Sequence, residues 1–135
     1  MCSSDLGEAI YSANLGRVLL MQEELQGARD YLTNGLRITR ELGDRGQIVF
    51  GLWSFSQLNA KDGNYELATR LLGASDALRD EIGSTLSSSA LEEHAELCET
   101  LNKAMGQEAY EQAFNTGQKL NWDDAVALVL GDHHN

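Results

Sequence analysis

The chain has 135 residues, of which 42% are hydrophobic, and a formal net charge of −11, which suits one domain with a core of its own. No apolar run approaches the roughly 20 residues that span a bilayer and no secretory signal is recognisable, so neither a membrane partner nor secretion is expected. Residues 68–135 carry twelve acidic side chains against four basic ones, and this excess of negative charge disfavours direct binding of nucleic acid.

The first six residues, MCSSDL, resemble the translated end of a common sequencing adapter with a GTG start codon read as Met. Either residues 1–6 are non-native, and the chain is the end of a longer gene product, or they are a native and disordered start. The two cysteines, Cys2 and Cys98, provide no disulfide framework, so we expect a protein of the reducing cytoplasm.

Two stretches of the chain, residues 27–44 and 67–84, carry the same helical pattern at an offset of 40 residues. The aligned pairs include Ala28 and Ala68, Leu32 and Leu72, and Gly43 and Gly83. The apolar pairs lie on one helical face, and the glycines stand where a left-handed helix end is expected. A repeat of this length predicts stacked helical hairpins, with helices over 7–22, 26–42, 46–61 and 64–82.

A Ser-rich link over 83–89 ends the repeat, and three more helices follow. Ser88 or Ser89 is the predicted cap of the first of them, and Asn121 is the predicted cap of the last. These helices cover 89–105, 107–117 and the residues from Asn121 to Leu130. We therefore predict an all-α fold with two hairpins over 7–83, a three-helix C-terminal cap over 84–130 and a disordered tail over 131–135.

Small residues at the hairpin contacts resemble the tetratricopeptide repeat. Leu15-Gly16 falls on the Leu-Gly of that motif, and Ala28 and Ala68 fall on its Ala. The second unit has Phe55-Ser56 in place of Leu-Gly, and the period of 40 residues exceeds the usual length of about 34. The resemblance implies an α-solenoid fragment of tetratricopeptide-like hairpins, in which the first helix of each unit lines a concave surface.

Residues 8–130 more closely resemble the C-terminal part of large bacterial signal-transduction ATPases, many of them LuxR-type transcriptional regulators. The residues that carry this resemblance are Leu71-Leu72-Gly73-Ala74, Ala77-Leu78-Arg79, Ile82-Gly83, Gly106, Glu108-Ala109-Tyr110, Ala113-Phe114, Gly117 and Asp124-Ala125-Val126-Ala127-Leu128. Leu86-Ser87-Ser88 replaces prolines that the family usually has. The chain has no nucleotide-binding Gly-rich loop and no basic recognition helix, so the resemblance implies a sensor or scaffold arm without ATPase activity or DNA binding.

His94 and Cys98 are four residues apart and therefore share one face of the predicted helix over 89–105. A thiol beside an imidazole is the arrangement of a nucleophile and its base, or half of a metal site. The same face is predicted to carry Leu91, Ala95, Leu101 and Met105. A core cysteine beside a boundary histidine is therefore the favoured interpretation.

Other polar groups are attributed to the solvated surface. His133 and His134, next to Asp132, belong to the predicted tail and cannot complete a four-ligand metal site. Four carboxylates are predicted on the solvated face of the helix over 89–105, namely those of Glu92, Glu93, Glu96 and Glu99. We expect no catalytic residue, no cofactor and no metal.

Five residues are candidates for binding a partner on the concave surface. The repeat alignment places Arg17 there from the first unit, and Phe50, Trp53, Gln57 and Lys61 from the second. Aromatic and arginine side chains on such a surface suit the capture of a peptide or a small ligand. Core packing is the alternative for Trp53.

The expected function is that of a cytoplasmic, non-enzymatic interaction or sensing module from a bacterial ATPase-type regulator or signalling protein. Its partner would be a protein segment, a small effector or another domain of the parent protein. One alternative is a structural or dimerising domain that self-associates through its open N-terminal repeat face. Another is a small-ligand enzyme that uses His94 and Cys98.

Overall fold

The computed structural model describes the backbone of residues 2–131 and the side chains of residues 5–131. The predicted tail beyond Gly131, with His133 and His134, lies outside the described residues. Between residues 2 and 131 all regular secondary structure is helical, which confirms the all-α prediction. The seven helices are α1 (Cys2–Met21), α2 (Leu25–Leu42), α3 (Arg45–Lys61), α4 (Tyr65–Ile82), α5 (Ser88–Met105), α6 (Gln107–Gln118) and α7 (Trp122–Leu130).

Most helix ends lie where the local sequence predicts them. Asn121 caps α7, because its side-chain oxygen accepts a hydrogen bond of 2.8 Å from the Asp124 amide. The predicted cap of α5 is wrong by one residue or more: Ser87, and not Ser88 or Ser89, accepts the hydrogen bond from the Ala90 amide. Helix α1 already begins at Cys2, so it includes residues 2–6.

The first four helices end in left-handed residues at intervals of 20 residues. These residues are Glu23 (φ 60°), Gly43 (φ 69°), Gly63 (φ 84°) and Gly83 (φ 72°). In each case the next amide bonds back five residues, as the Asp44 amide does to the Thr39 carbonyl at 3.1 Å. This is the Schellman arrangement, which ends a helix and reverses the chain.

Helices α1 and α2 pack against each other, as do α3 and α4, and α2 also packs on α3. Helix α6 crosses α4 with the two backbones in close approach. A Cβ atom at Gly73 would collide with the backbone oxygen of Phe114, and one at Gly117 with the backbone oxygen of Arg70. Only residues without a side chain allow the two helices to meet in this way.

Two apolar clusters hold the helices together. The larger one joins α1, α2, α3, α4 and α7 and includes Leu32, Leu52, Phe55, Leu71 and Val126. The smaller one joins α3, α4, α5 and α6 and includes Trp53, Leu72, Leu97, Leu101 and Phe114. No helix in the described part of the chain is both long enough and apolar enough to cross a membrane.

Candidate functional site

A cavity of about 600 Å³ opens between α1, α3 and α5. The sequence predicts that these helices start the two hairpins and the C-terminal cap, so the cavity lies where the repeat alignment predicts a concave surface. Every lining residue comes from one of the three helices. The lining residues are Arg17, Leu20, Met21, Gln57, Ala60, Lys61, Glu93, Glu96, Leu97 and Thr100.

The five predicted partner-binding residues are divided by the structure into three groups. Arg17, Gln57 and Lys61 line the cavity. Phe50 lies beside it, beneath the Arg17 guanidinium, whose Cζ atom is 4.7 Å from the centre of the Phe50 ring. This cation–π contact holds the Arg17 head group in place at the cavity wall.

Trp53 packs in the core, which is the alternative that the sequence analysis gives for this residue. Its side chain is 8% exposed and belongs to the smaller apolar cluster. The indole meets the His94 ring edge-on, with ring centres 6.3 Å apart. Its Nε1 atom is buried and has no hydrogen-bond partner among the described residues. Trp53 therefore supports the cavity from the core, and it does not line the wall.

The cavity presents both signs of charge around an apolar floor. Arg17 and Glu93 form an ion pair of 3.6 Å from α1 to α5, and Lys61 lies 3.8 Å from Glu23 at the end of α1. Glu93 and Glu96, which the sequence assigned to the solvated surface, are in contact with solvent and form the acidic side of the cavity. A ligand with separated positive and negative groups matches this arrangement.

A second polar cluster joins α4 and α5. The Cys98 sulfur lies 3.6 Å from Nδ1 of His94. On the other side of the ring, His94 Nε2 lies 2.9 Å from both carboxylate oxygens of Asp76. The Arg79 guanidinium donates a hydrogen bond of 2.9 Å to the same carboxylate. Cysteine, histidine and aspartate thus follow one another in the order of a nucleophile, its base and an orienting acid.

The pKa values of this cluster favour a charged pair. The hydrogen bond to Asp76, followed by that to Cys98, raises the pKa of His94 from 6.5 to about 10. Burial alone would raise the pKa of the Cys98 thiol, but hydrogen bonds from His94 and Tyr110 outweigh it and lower that pKa. Burial and the hydrogen bond to Cys98 raise the pKa of the Tyr110 phenol. These shifts move both groups toward their charged forms, an imidazolium on His94 and a thiolate on Cys98.

The exposed and buried faces of α5 differ from the prediction. Leu91 is 56% exposed and Ala95 is also exposed, so they do not share a buried face with Cys98. The buried side chains of α5 are those of Leu97 and Leu101, one turn apart. Cys98 and His94 flank this apolar row and remain partly exposed. They form a boundary site in contact with solvent.

Asp76 is the site residue that the sequence interpretation missed. The signal was present, because the 40-residue alignment pairs Asp76 with Leu36, which the pattern places on the buried face. An acidic residue at a core position needs a partner.

No protein-family model matches this chain, and neither a curated protein nor a solved structure is found to match it. Among the described side chains, no group of three or more histidine, cysteine, aspartate and glutamate residues is arranged to hold a metal ion.

Proposed function

We propose that the chain is a non-enzymatic interaction or sensing module of the tetratricopeptide-like class, which binds a protein segment or a small effector between α1, α3 and α5. The observation that carries this proposal is the cavity of about 600 Å³, in which Arg17, Gln57 and Lys61 face Glu93 and Glu96. Such a volume suits a small molecule or a few residues of a peptide. The partner matched by these charges carries an acidic and a basic group.

The repeat architecture is supported by matched environments in the two hairpins. Ala28 and Ala68 are both fully buried. Gly16 faces Leu32 of the next helix, and Ser56, its equivalent, donates a hydrogen bond of 2.6 Å to the Ala68 carbonyl. Both residues are small because the first helix of a hairpin must approach the second closely. In this proposal α5, α6 and α7 cap the two-hairpin array.

The resemblance to the C-terminal part of bacterial signalling ATPases and LuxR-type regulators extends the proposal to the parent protein. The module would report the bound segment or effector to other domains of that protein, as a sensor or scaffold arm. Gly73 and Gly117 carry part of the resemblance, and their role as the crossing point of α4 and α6 gives it a physical basis.

Binding can be tested with a panel of free tetrapeptides whose side chains vary in charge. We expect peptides with both an acidic and a basic side chain to raise the melting temperature of the full chain, because a ligand that binds only the folded state stabilises it. Arg17→Gln should remove the effect, and Arg37→Gln, on the exposed surface of α2, should preserve it. Equal stabilisation of the two variants would contradict the proposal.

A dimerising domain is the second candidate, because α1 exposes four large apolar side chains. These are Ile10, Tyr11, Val18 and Met21. An apolar surface on the first helix of a helical array is where another helix would pack. Analytical ultracentrifugation tests this candidate: a dimer that dissociates in Tyr11→Glu would favour it, and a monomer at all concentrations would exclude it.

A further inference from the structure

The polar cluster on α4 and α5 holds a thiol with unusual neighbours. Cys98 is half-buried and lies at hydrogen-bond distance for sulfur from His94, at 3.6 Å. The Asp76 carboxylate fixes the far side of the same imidazole ring at 2.9 Å. A cysteine that only fills space in the core needs neither contact.

We propose that Cys98 is a modification site at which a hydroperoxide oxidises the thiolate to a sulfenic acid, with His94 as the proton donor and Asp76 as the residue that positions His94. This inference goes beyond the proposed binding function, because it needs no ligand in the cavity between α1, α3 and α5. The reaction is stoichiometric and leaves the modified group on the chain.

The reaction is balanced with the groups present. The Cys98 thiolate attacks the terminal oxygen of the hydroperoxide, so that a sulfur–oxygen bond forms and the oxygen–oxygen bond breaks. Sulfur loses two electrons, and the peroxide is reduced to an alkoxide, or to hydroxide when the oxidant is hydrogen peroxide. The His94 imidazolium gives its Nδ1 proton to that leaving oxygen, which departs as an alcohol or as water.

The surroundings of Cys98 favour a small oxidant over an acyl substrate. Cys98 lies in the middle of α5, where the backbone amides are bonded within the helix. An acyl transfer needs free donors for the oxyanion, which such a backbone does not offer. Oxidation by a hydroperoxide needs only an accessible thiolate and a proton donor.

Charged and polar groups on three helices act on the thiolate, and those on α5 and α6 stabilise its charge. His94 lies 3.6 Å from the Cys98 sulfur on α5, and the Tyr110 phenol on α6, packed against the same apolar cluster, also lowers the pKa of the thiol. The Asp76 carboxylate on α4 opposes the thiolate charge, but this acid is itself paired with His94 and with the Arg79 guanidinium. The positive groups His94 and Arg79 thus balance the two negative ones.

The experiment measures the rate at which Cys98 is oxidised. The full chain carrying Cys2→Ser, in which Cys98 is the one remaining thiol, is treated with hydrogen peroxide or tert-butyl hydroperoxide at neutral pH. The sulfenic acid is captured with dimedone and followed by mass spectrometry. We expect a second-order rate constant about tenfold or more above that of the blocked peptide of residues 96–100, whose thiol is mostly protonated at this pH.

Two variants in the same background separate the roles of the neighbours. His94→Gln should bring the rate at neutral pH down to that of the peptide. Asp76→Asn should move the midpoint of the rate-against-pH profile upward, because a less basic imidazole stabilises the thiolate less. The ultraviolet absorbance of the thiolate gives an independent measurement. It should show that Cys98 titrates at a lower pH than the thiol of the peptide.

The proposal does not depend on whether the variants fold. A rate constant for Cys98 no greater than that of the peptide would overturn it. Thiolate absorbance that first appears at the pH of the peptide titration would overturn it as well. A folded His94→Gln variant with an unchanged rate would contradict the role given to the imidazole.

Discussion

Asp76 occupies in α4 the position that Leu36 occupies in α2, forty residues earlier. Leu36 is buried against α3, where a Cβ atom on Gly51 would come within 2.9 Å of its Cδ1 atom. Asp76 instead reaches α5, where it bonds to the His94 ring. Each of the two residues therefore contacts the next helix in the chain. Leu36 does so through apolar packing on α3, and Asp76 through a charged hydrogen bond to α5.

Asp76→Asn should lower the free energy of unfolding at neutral pH by about 2 kcal/mol, because the His94 and Arg79 cations lose the carboxylate that they share. Chemical denaturation monitored by circular dichroism measures the change. Asp80→Asn, on the exposed side of the same helix, is the matched control and should change the stability by less than about 0.5 kcal/mol. Equal effects of the two substitutions would refute a stabilising role for the cluster.

Gly117→Ala should destabilise the fold by at least about 2 kcal/mol, because the new methyl group would collide with the Arg70 backbone oxygen and overpack the crossing of α4 and α6. Gly7→Ala is the control, since nothing lies within 4 Å of the added Cβ atom. That change should be neutral or stabilise α1 by up to about 1 kcal/mol. Thermal unfolding of both variants tests the crossing, and a tolerated Gly117→Ala would show that the helices lie further apart.

Glu23→Gly should stabilise the chain by about 1 kcal/mol. Glu23 has φ of 60°, a conformation that costs a residue with a side chain more than it costs glycine. The loss of its exposed ion pair with Lys61 subtracts little from this gain. The reciprocal change, Gly63→Ala at the turn forty residues later, should destabilise by a similar amount. Chemical denaturation should show that the two substitutions change the free energy of unfolding in opposite directions. Changes in the same direction would contradict the shared turn geometry.

The stability due to His94 should depend on pH in a defined direction. Its pKa is raised from 6.5 to about 10 in the folded chain, chiefly by Asp76. Such a group contributes its full stabilisation below pH 6.5 and loses it as the pH rises through the folded-state value. The lowered pKa of Cys98 acts in the opposite direction, so the test uses Cys98→Ser to isolate the histidine.

The two chains to compare are the Cys98→Ser variant and the Cys98→Ser/His94→Gln double variant. The difference between their free energies of unfolding should be greatest below pH 6.5 and should shrink as the pH rises through the folded-state pKa of His94, which Asp76 still raises in this background. Denaturant titrations across this range measure the difference. A constant difference would mean that the ring has the same pKa in the folded and the unfolded chain.

Helix positions were predictable from the sequence because their signals are local. Apolar residues at helical spacing define each helix, and glycines such as Gly43 and Gly83 mark the ends. The left-handed Glu23 was not predicted, since a glutamate gives no such signal by itself. Its place, 40 residues before Gly63, is the clue that the repeat offered.

The candidate sites were only partly predictable because their residues meet across helices. The repeat alignment placed Arg17, Gln57 and Lys61 on one predicted surface, and all three line one cavity. It could not place Glu93 there, because α5 follows the Ser-rich link and stands outside the 40-residue register. Asp76 and His94 are 18 residues apart and lie on either side of this link. Helical periodicity within one helix therefore cannot predict their contact.

The most direct test of partner binding in the cavity is the amide spectrum of the isotope-labelled chain, titrated with a tetrapeptide that carries one acidic and one basic side chain. We expect saturable shifts of the amide signals around Arg17, Gln57, Lys61 and Glu93, on the three helices that line the cavity. Shifts confined to α2 and α4, or no saturable shift with any peptide of the panel, would contradict the claim that this cavity binds a partner.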